Sequence, residues 1–222
     1  MAEKPRVKAP KQRTATRTRS VDRRRWALIA AGVLGALAVL AVAGLAFGGF
    51  GGGDKDARTA LEAAGCTLES FKGVSRAHIS DPTARPKSWN SFPPTSGPHY
   101  VTPAVYGFYS DPVELARILH GLEHGGVYML YGPTTPPDTV DQLRKIYDKD
   151  PRGLVVAPLP ALGGKLALGA WTSGDPGSAQ VGTGHLAKCT KVDEKAFNAF
   201  IDAFRGRGPE GTPLNLLQPG ST

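Results

Sequence analysis

Beyond residue 53 the chain has no excess of either charge: 17 basic residues stand against 17 acidic ones, although the full 222 residues carry a net +8. The surplus lies wholly in residues 1–25, where ten basic residues meet two acidic ones. A globular nucleic-acid-binding domain with a basic face is therefore excluded, and no nucleic-acid partner is expected. Cysteine is nearly absent, with only Cys66 and Cys189 and no Cys-x-x-Cys, so a thiolate metal site or a redox pair has little support. No Lys-Ser/Thr follows the glycines of Gly48–Gly53, which dismisses a phosphate-binding loop. No internal repeat is visible.

Charge is also missing from Trp26 to Phe50, a run of Ala, Leu, Val, Ile and Gly with aromatics at its ends. About 20 such residues cross a hydrocarbon core of roughly 30 Å. A secretory signal has a shorter apolar stretch, so residues 26–47 read as an uncleaved transmembrane helix, with Ala41-Val42-Ala43 as a weak cleavage candidate. Arg23-Arg24-Arg25 lacks the rest of a twin-arginine signal. The positive-inside rule keeps the basic tail in the cytoplasm, where it is disordered and lies near anionic lipid, and places residues 54–222 outside the cell membrane. Residues 48–55 read as a Gly-rich linker and 56–222 as one extracytoplasmic domain. Outside the cytoplasm, Cys66 and Cys189 are most simply a disulfide.

The domain reads as α+β: a single compact mixed domain with a small sheet and no βαβ rhythm. Helices are expected over Asp56–Ala64, after an Asp111 cap with Pro112 and Glu114, over Asp138–Tyr147, and over Thr190–Arg205 with its phenylalanines in the core. Cys66–Ile79 reads as extended. Strands are expected at Val127–Tyr131, Gly153–Ala157 and Lys165–Trp171, and residues 81–103 form a Pro-rich binding or lid loop.

Chemistry concentrates in two short segments. His99 follows Pro94-Thr95-Ser96-Gly97-Pro98, and His120 and His124 sit one helical turn apart with Glu123 between them. The Leu115, Ile118, Leu119, Leu122 stripe marks the opposite helix face. Two imidazoles at i, i+4 and a third on a rigid loop form a site for zinc or copper, with Glu123 as fourth ligand or orienting group. Met129 would matter only for cuprous copper. His120-x-x-Glu123-His124 also matches the inverted zincin pattern, with Glu123 as general base, but its downstream ligand would have to be Glu194 or Glu210, neither in a recognisable motif. The bland alternative is a structural polar cluster pinning the loop to the helix. Ser96 has no nucleophile-elbow context, and His78 and His185 read as solvated or loop residues.

Together Cys66, Pro93-Pro94-Thr95-Ser96-Gly97-Pro98-His99, Gly107-x-Tyr109, His120-x-x-Glu123-His124-Gly125, Val127–Tyr131, Ala170-Trp171 and Pro209-Glu210 carry a resemblance. The chain resembles, from about Cys66 to Glu210, the bacterial membrane-anchored proteins of the domain of unknown function 3105. That likeness implies an extracytoplasmic domain behind a single anchor, but no reaction, ligand or partner. Three functions stay open: a metal-binding module, a metal-dependent envelope hydrolase, and a non-catalytic envelope interaction module whose protein partner is unknown.

Overall fold

The computed structural model describes residues 52–222; the basic tail, the expected span over 26–47 and the first half of the expected linker lie outside the described residues. Among the described residues, no helix is long and apolar enough to cross a membrane. Helix α1 (Gly52–Ala63) begins inside the segment read as linker and buries Ala57 and Leu61, one turn apart. Strand β1 (Thr67–Lys72) follows, then two very short strands, β2 (His78–Ile79) and β3 (His99–Tyr100), and β4 (Gly107–Phe108). Helix α2 (Leu115–Glu123), β5 (Val127–Tyr131), α3 (Pro137–Lys149), β6 (Leu154–Pro158), β7 (Leu166–Thr172), β8 (Thr183–Cys189) and α4 (Glu194–Phe204) complete the main elements.

The sheet is larger than expected, six strands in the order β1-β8-β7-β5-β6-β4. Strands β1, β8, β7 and β5 are antiparallel neighbours, whereas β6 runs parallel to both β5 and β4. The β5-α3-β6 passage is therefore a βαβ unit, contrary to the reading from sequence. Strand β8 also escaped that reading: its Gly184, His185, Leu186 and Ala187 are all buried, so no alternation of polar and apolar residues marks it.

Two apolar layers cover the two faces. On one, α1, α3 and α4 pack Leu61, Leu143, Ile146, Phe197, Phe200 and Phe204 against Val127, Met129, Leu168 and Ala187. On the other, α2 packs Ile118, Leu119 and Leu122 with Tyr106 against Tyr128, Leu130, Val155 and Trp171. The α+β class stands. Cys66 and Cys189 form the expected disulfide, which closes the junction between the start of β1 and the end of β8. A covalent loop of this size stabilises a fold by roughly 5 kcal/mol in the chain-entropy account.

Helix α4 starts with the Asp193 carboxylate accepting from Ala196 N, an ordinary N-cap. Helix α2 does not start as anticipated. Asp111 takes a hydrogen bond from Ser110 Oγ instead of capping, Pro112 stays outside, and the helix opens at Leu115 after an extended Glu114 that makes no side-chain cap. Its far end is as expected: Gly125 turns the chain at φ 105°.

Candidate metal centre

Four pieces of chain converge on the α2 side of the sheet. The parallel β2–β3 pair sets His78 and His99 side by side, with His99 N donating to Ala77 O at 3.1 Å. The 81–103 loop that leads to His99 is built around Asn90, whose Oδ1 accepts from Thr95 N, Thr95 Oγ1 and Ser96 N. Trp89 Nε1 donates to Pro98 O, and Ser96 Oγ accepts from Val74 N. The loop is thus a self-bonded cradle for the histidine, and Ser96 is a structural member of it.

Helix α2 supplies His120 and Glu123, both buried despite lying opposite the leucine stripe. The fourth piece is the segment after α4. Gly206 N donates to Gly125 O and Glu210 N to Glu123 O, which docks the segment on the end of α2. Gly208 permits this approach, because a Cβ there would run into Gly125 N and Glu123 O. Glu210 Oε2 consequently lies 3.0 Å from His124 Nε2.

The imidazoles form a chain. Ring centroids are 5.0 Å apart for His78–His99, 4.9 Å for His78–His120, 4.7 Å for His99–His120 and 4.7 Å for His120–His124. A buried Trp171 meets the His99 ring edge-on at 5.9 Å. His99 Nδ1 donates to Gly97 O at 2.9 Å and His120 Nδ1 to Tyr100 O at 2.8 Å. A carbonyl only accepts, so both rings carry a proton on Nδ1 and turn Nε2 inward. Around this centre, ligand atoms of His78, His99, His120 and Glu123 all lie within 4.8 Å of one another, and so do those of His120, His124 and Glu210.

Electrostatics supports the same arrangement. Glu123 Oε1 accepts from Arg76 Nε at 2.5 Å, and Oε2 lies 3.0 Å from His99 Nε2. The latter approach has the wrong direction for a hydrogen bond, and His99 Nε2, fully buried, has no hydrogen-bond partner. Arg76 is held in turn by Ser178 O at 2.7 Å and reaches Glu210 Oε1 at 3.9 Å. Burial would raise the Glu123 carboxyl, but the neighbouring His99 and Arg76 outweigh it and hold it below the ordinary range. Burial lowers His120 to about 4, aided by His99 and His124 and opposed by its bond to Tyr100 O. It lowers His124 as well, against the pull of Glu210. Histidine ligands must be neutral, and burial favours that state at His120 and His124.

Of the residues expected from sequence, His99, His120 and Glu123 come together, while His124 joins His120 and Glu210 in the adjoining group. Glu194 is on the surface, paired with Lys149, and takes no part. Met129 packs among the phenylalanines on the opposite face of the sheet, away from the histidines. His78 and Arg76 were missed, and Glu210 was weighed only as the downstream ligand of the inverted zincin pattern. His78 reaches the centre through the β2–β3 register, which no periodicity announces; Glu210 arrives with the segment after α4, of which helical spacing gives no sign. His185, read as solvated, is buried.

Residues 82–215, more than half of the chain, match a family described as a protein of unknown function, DUF3105. The chain belongs to the DUF3105 family. No curated protein and no solved structure matches it. The DUF3105 match contains His99, His120, Glu123, His124 and Glu210, whereas Arg76 and His78 precede it.

Proposed function

We propose that this DUF3105 protein binds one divalent transition-metal ion, zinc or cupric copper, through His78, His99, His120 and Glu123. The observation that carries the reading is His99 Nε2: a buried ring nitrogen without a hydrogen-bond partner, 3.0 Å from a carboxylate oxygen. A proton on Nε2 would be misaligned for this carboxylate, whereas a metal ion held by both atoms would satisfy each. Imidazole nitrogens with one carboxylate suit zinc or cupric copper, whereas magnesium and calcium take oxygen shells. Thiolates contribute nothing, because both cysteines are bonded to each other. Met129 lies on the other face, which removes the support for cuprous copper.

The charge-free run over residues 26–47 and the basic tail before it support a single membrane anchor with this domain outside the cytoplasm. The disulfide fits that oxidising side. The basic tail would then lie against anionic lipid.

The His120, His124 and Glu210 set favours a second reading, a zinc hydrolase with Glu123 as base. Arg76 argues against it: the guanidinium holds Oε1, and the carboxylate is made a weaker base than usual. The test is elemental analysis of the full chain purified in detergent without a His tag or chelator. One zinc or copper per chain is expected, with a rise in melting temperature when either ion is added to metal-free protein. Neither ion found, and no thermal shift on addition, would end the proposal.

A further inference from the structure

The centre has a feature that a permanently occupied metal site does not need. Continuing along α2 from the inner group, His124 and Glu210 form a pair on the far side of His120 with side chains 16% and 35% exposed; in the inner group His78 is exposed, but His99 and the carboxylate Glu123 are buried at 0% and 2%. The His120 ring stands 4.7 Å from His99 on one side and 4.7 Å from His124 on the other. Both groups of potential ligands include His120.

His120 has one lone pair to give. Its Nδ1 is committed as a donor to Tyr100 O, so only Nε2 can bind an ion. An imidazole in this state cannot bridge two metals. Charge points the same way. Glu123 and Glu210 contribute two negative charges and Arg76 one positive charge that touches both carboxylates. A single dication leaves this half-buried centre with one surplus positive charge; two dications leave three, a few ångströms apart in a low-dielectric setting. The single His120 lone pair excludes two ions that both use it, and charge disfavours a second one.

We infer that His120, His124 and Glu210 form a second, outer position for the same ion, alternative to the inner one, through which the ion is taken up and released. Resting on the proposed metal binding, this makes the domain a carrier that exchanges its ion. His120 keeps hold while the ion trades His99, His78 and Glu123 for His124 and Glu210. No group is oxidised or reduced, and each step replaces one ligand by another. The recipient or donor chemistry is a protein or small molecule presenting imidazole or carboxylate groups to the open side.

The experiment uses the full chain in detergent micelles with zinc, an optical zinc indicator to follow uptake, and excess EDTA in a stopped-flow mixer to follow release. The wild type should hold one zinc. The double variant His124→Ala with Glu210→Gln should slow uptake and release roughly tenfold, equivalent to about 1.4 kcal/mol on the barrier. Glu210→Gln alone, a near-isosteric change at a partly exposed side chain, should give an intermediate slowing and guards against a folding defect. Glu194→Gln, on the remote surface, should leave both rates alone. Two zinc ions per wild-type chain would overturn the shared ligand. One zinc with unchanged rates in both site variants would overturn the outer position and leave the proposed function standing. No zinc bound would overturn both.

Discussion

Two buried histidines on opposite faces of one sheet meet opposite fates. His185, on β8, has Ser70 Oγ at 3.1 Å from Nδ1 and Thr172 Oγ1 at 2.8 Å from Nε2, and its ring stacks on Phe204 at 4.1 Å. Nothing on it is left over. His99 is buried as deeply, yet only Nδ1 is bonded, and its other nitrogen waits beside a carboxylate. Burial alone therefore does not mark a functional histidine. The count of satisfied nitrogens does, because an unpartnered buried lone pair is unfavourable unless a ligand completes it.

The sharpest way to test that the faces are separate is to damage the apolar one. Phe200→Ala should lower stability by about 4 kcal/mol in urea unfolding, while leaving the zinc affinity of the folded protein within about twofold. A large loss of affinity would show that the faces are coupled. Lowering the pH addresses the satisfied histidine, His185. The pKa of His185 is depressed by burial from 6.5 to about 4, with Arg58 and Arg207 adding to the shift. As pH falls, the unfolded chain takes up this proton first. The contribution to stability is thus complete above pH 6.5 and is lost down to about pH 4, by roughly 3 kcal/mol. In metal-free protein His120 has the same sign and range. His185→Gln should accordingly flatten the stability change between pH 6.5 and 4.5, with His120 and His124 supplying what remains, read by urea unfolding at several pH values. A slope unaltered by this variant would contradict the assignment.

Smaller effects are expected on the site face. Glu123→Gln removes the charge opposite His99 and should weaken zinc binding roughly a hundredfold, measured by competition with a colorimetric chelator. Arg76→Lys keeps the charge but loses the directed bond from Nε to Glu123 Oε1, and should weaken it by only about tenfold. If Arg76→Lys proved the more damaging of the two, the carboxylate would be a support for the arginine instead of a ligand.

The two faces also differ in how far they can be read from sequence. The apolar face follows periodicity: Phe197, Phe200 and Phe204 fall at helical spacing, and Val127–Tyr131 is an unbroken apolar strand. On the site face, the i, i+4 spacing of His120 and His124 was visible, and so was the rigid approach to His99. What brings them partners was not. His78 depends on a two-residue parallel ladder, Arg76 on a distant carbonyl at Ser178, and Glu210 on a glycine that lets two backbones touch. These are long-range contacts between irregular segments, where local propensity has no voice. Strand β8 was hidden for a related reason, burial on both faces.

The disulfide divides the centre in a way that bears on mechanical load. Tension applied between residue 52 and the C-terminus would pass along α1 to Cys66, cross the S–S bond to Cys189 and continue into α4. Everything from Thr67 to Lys188 is then slack, and that arc holds His78, His99, His120, Glu123 and His124. Glu210 alone among these groups sits on the taut part of the chain. A pull along this path would act on Glu210 directly and on the inner ligands only through the backbone bonds that dock its segment on Gly125 and Glu123, so the proposed outer position is where load and occupancy would first meet.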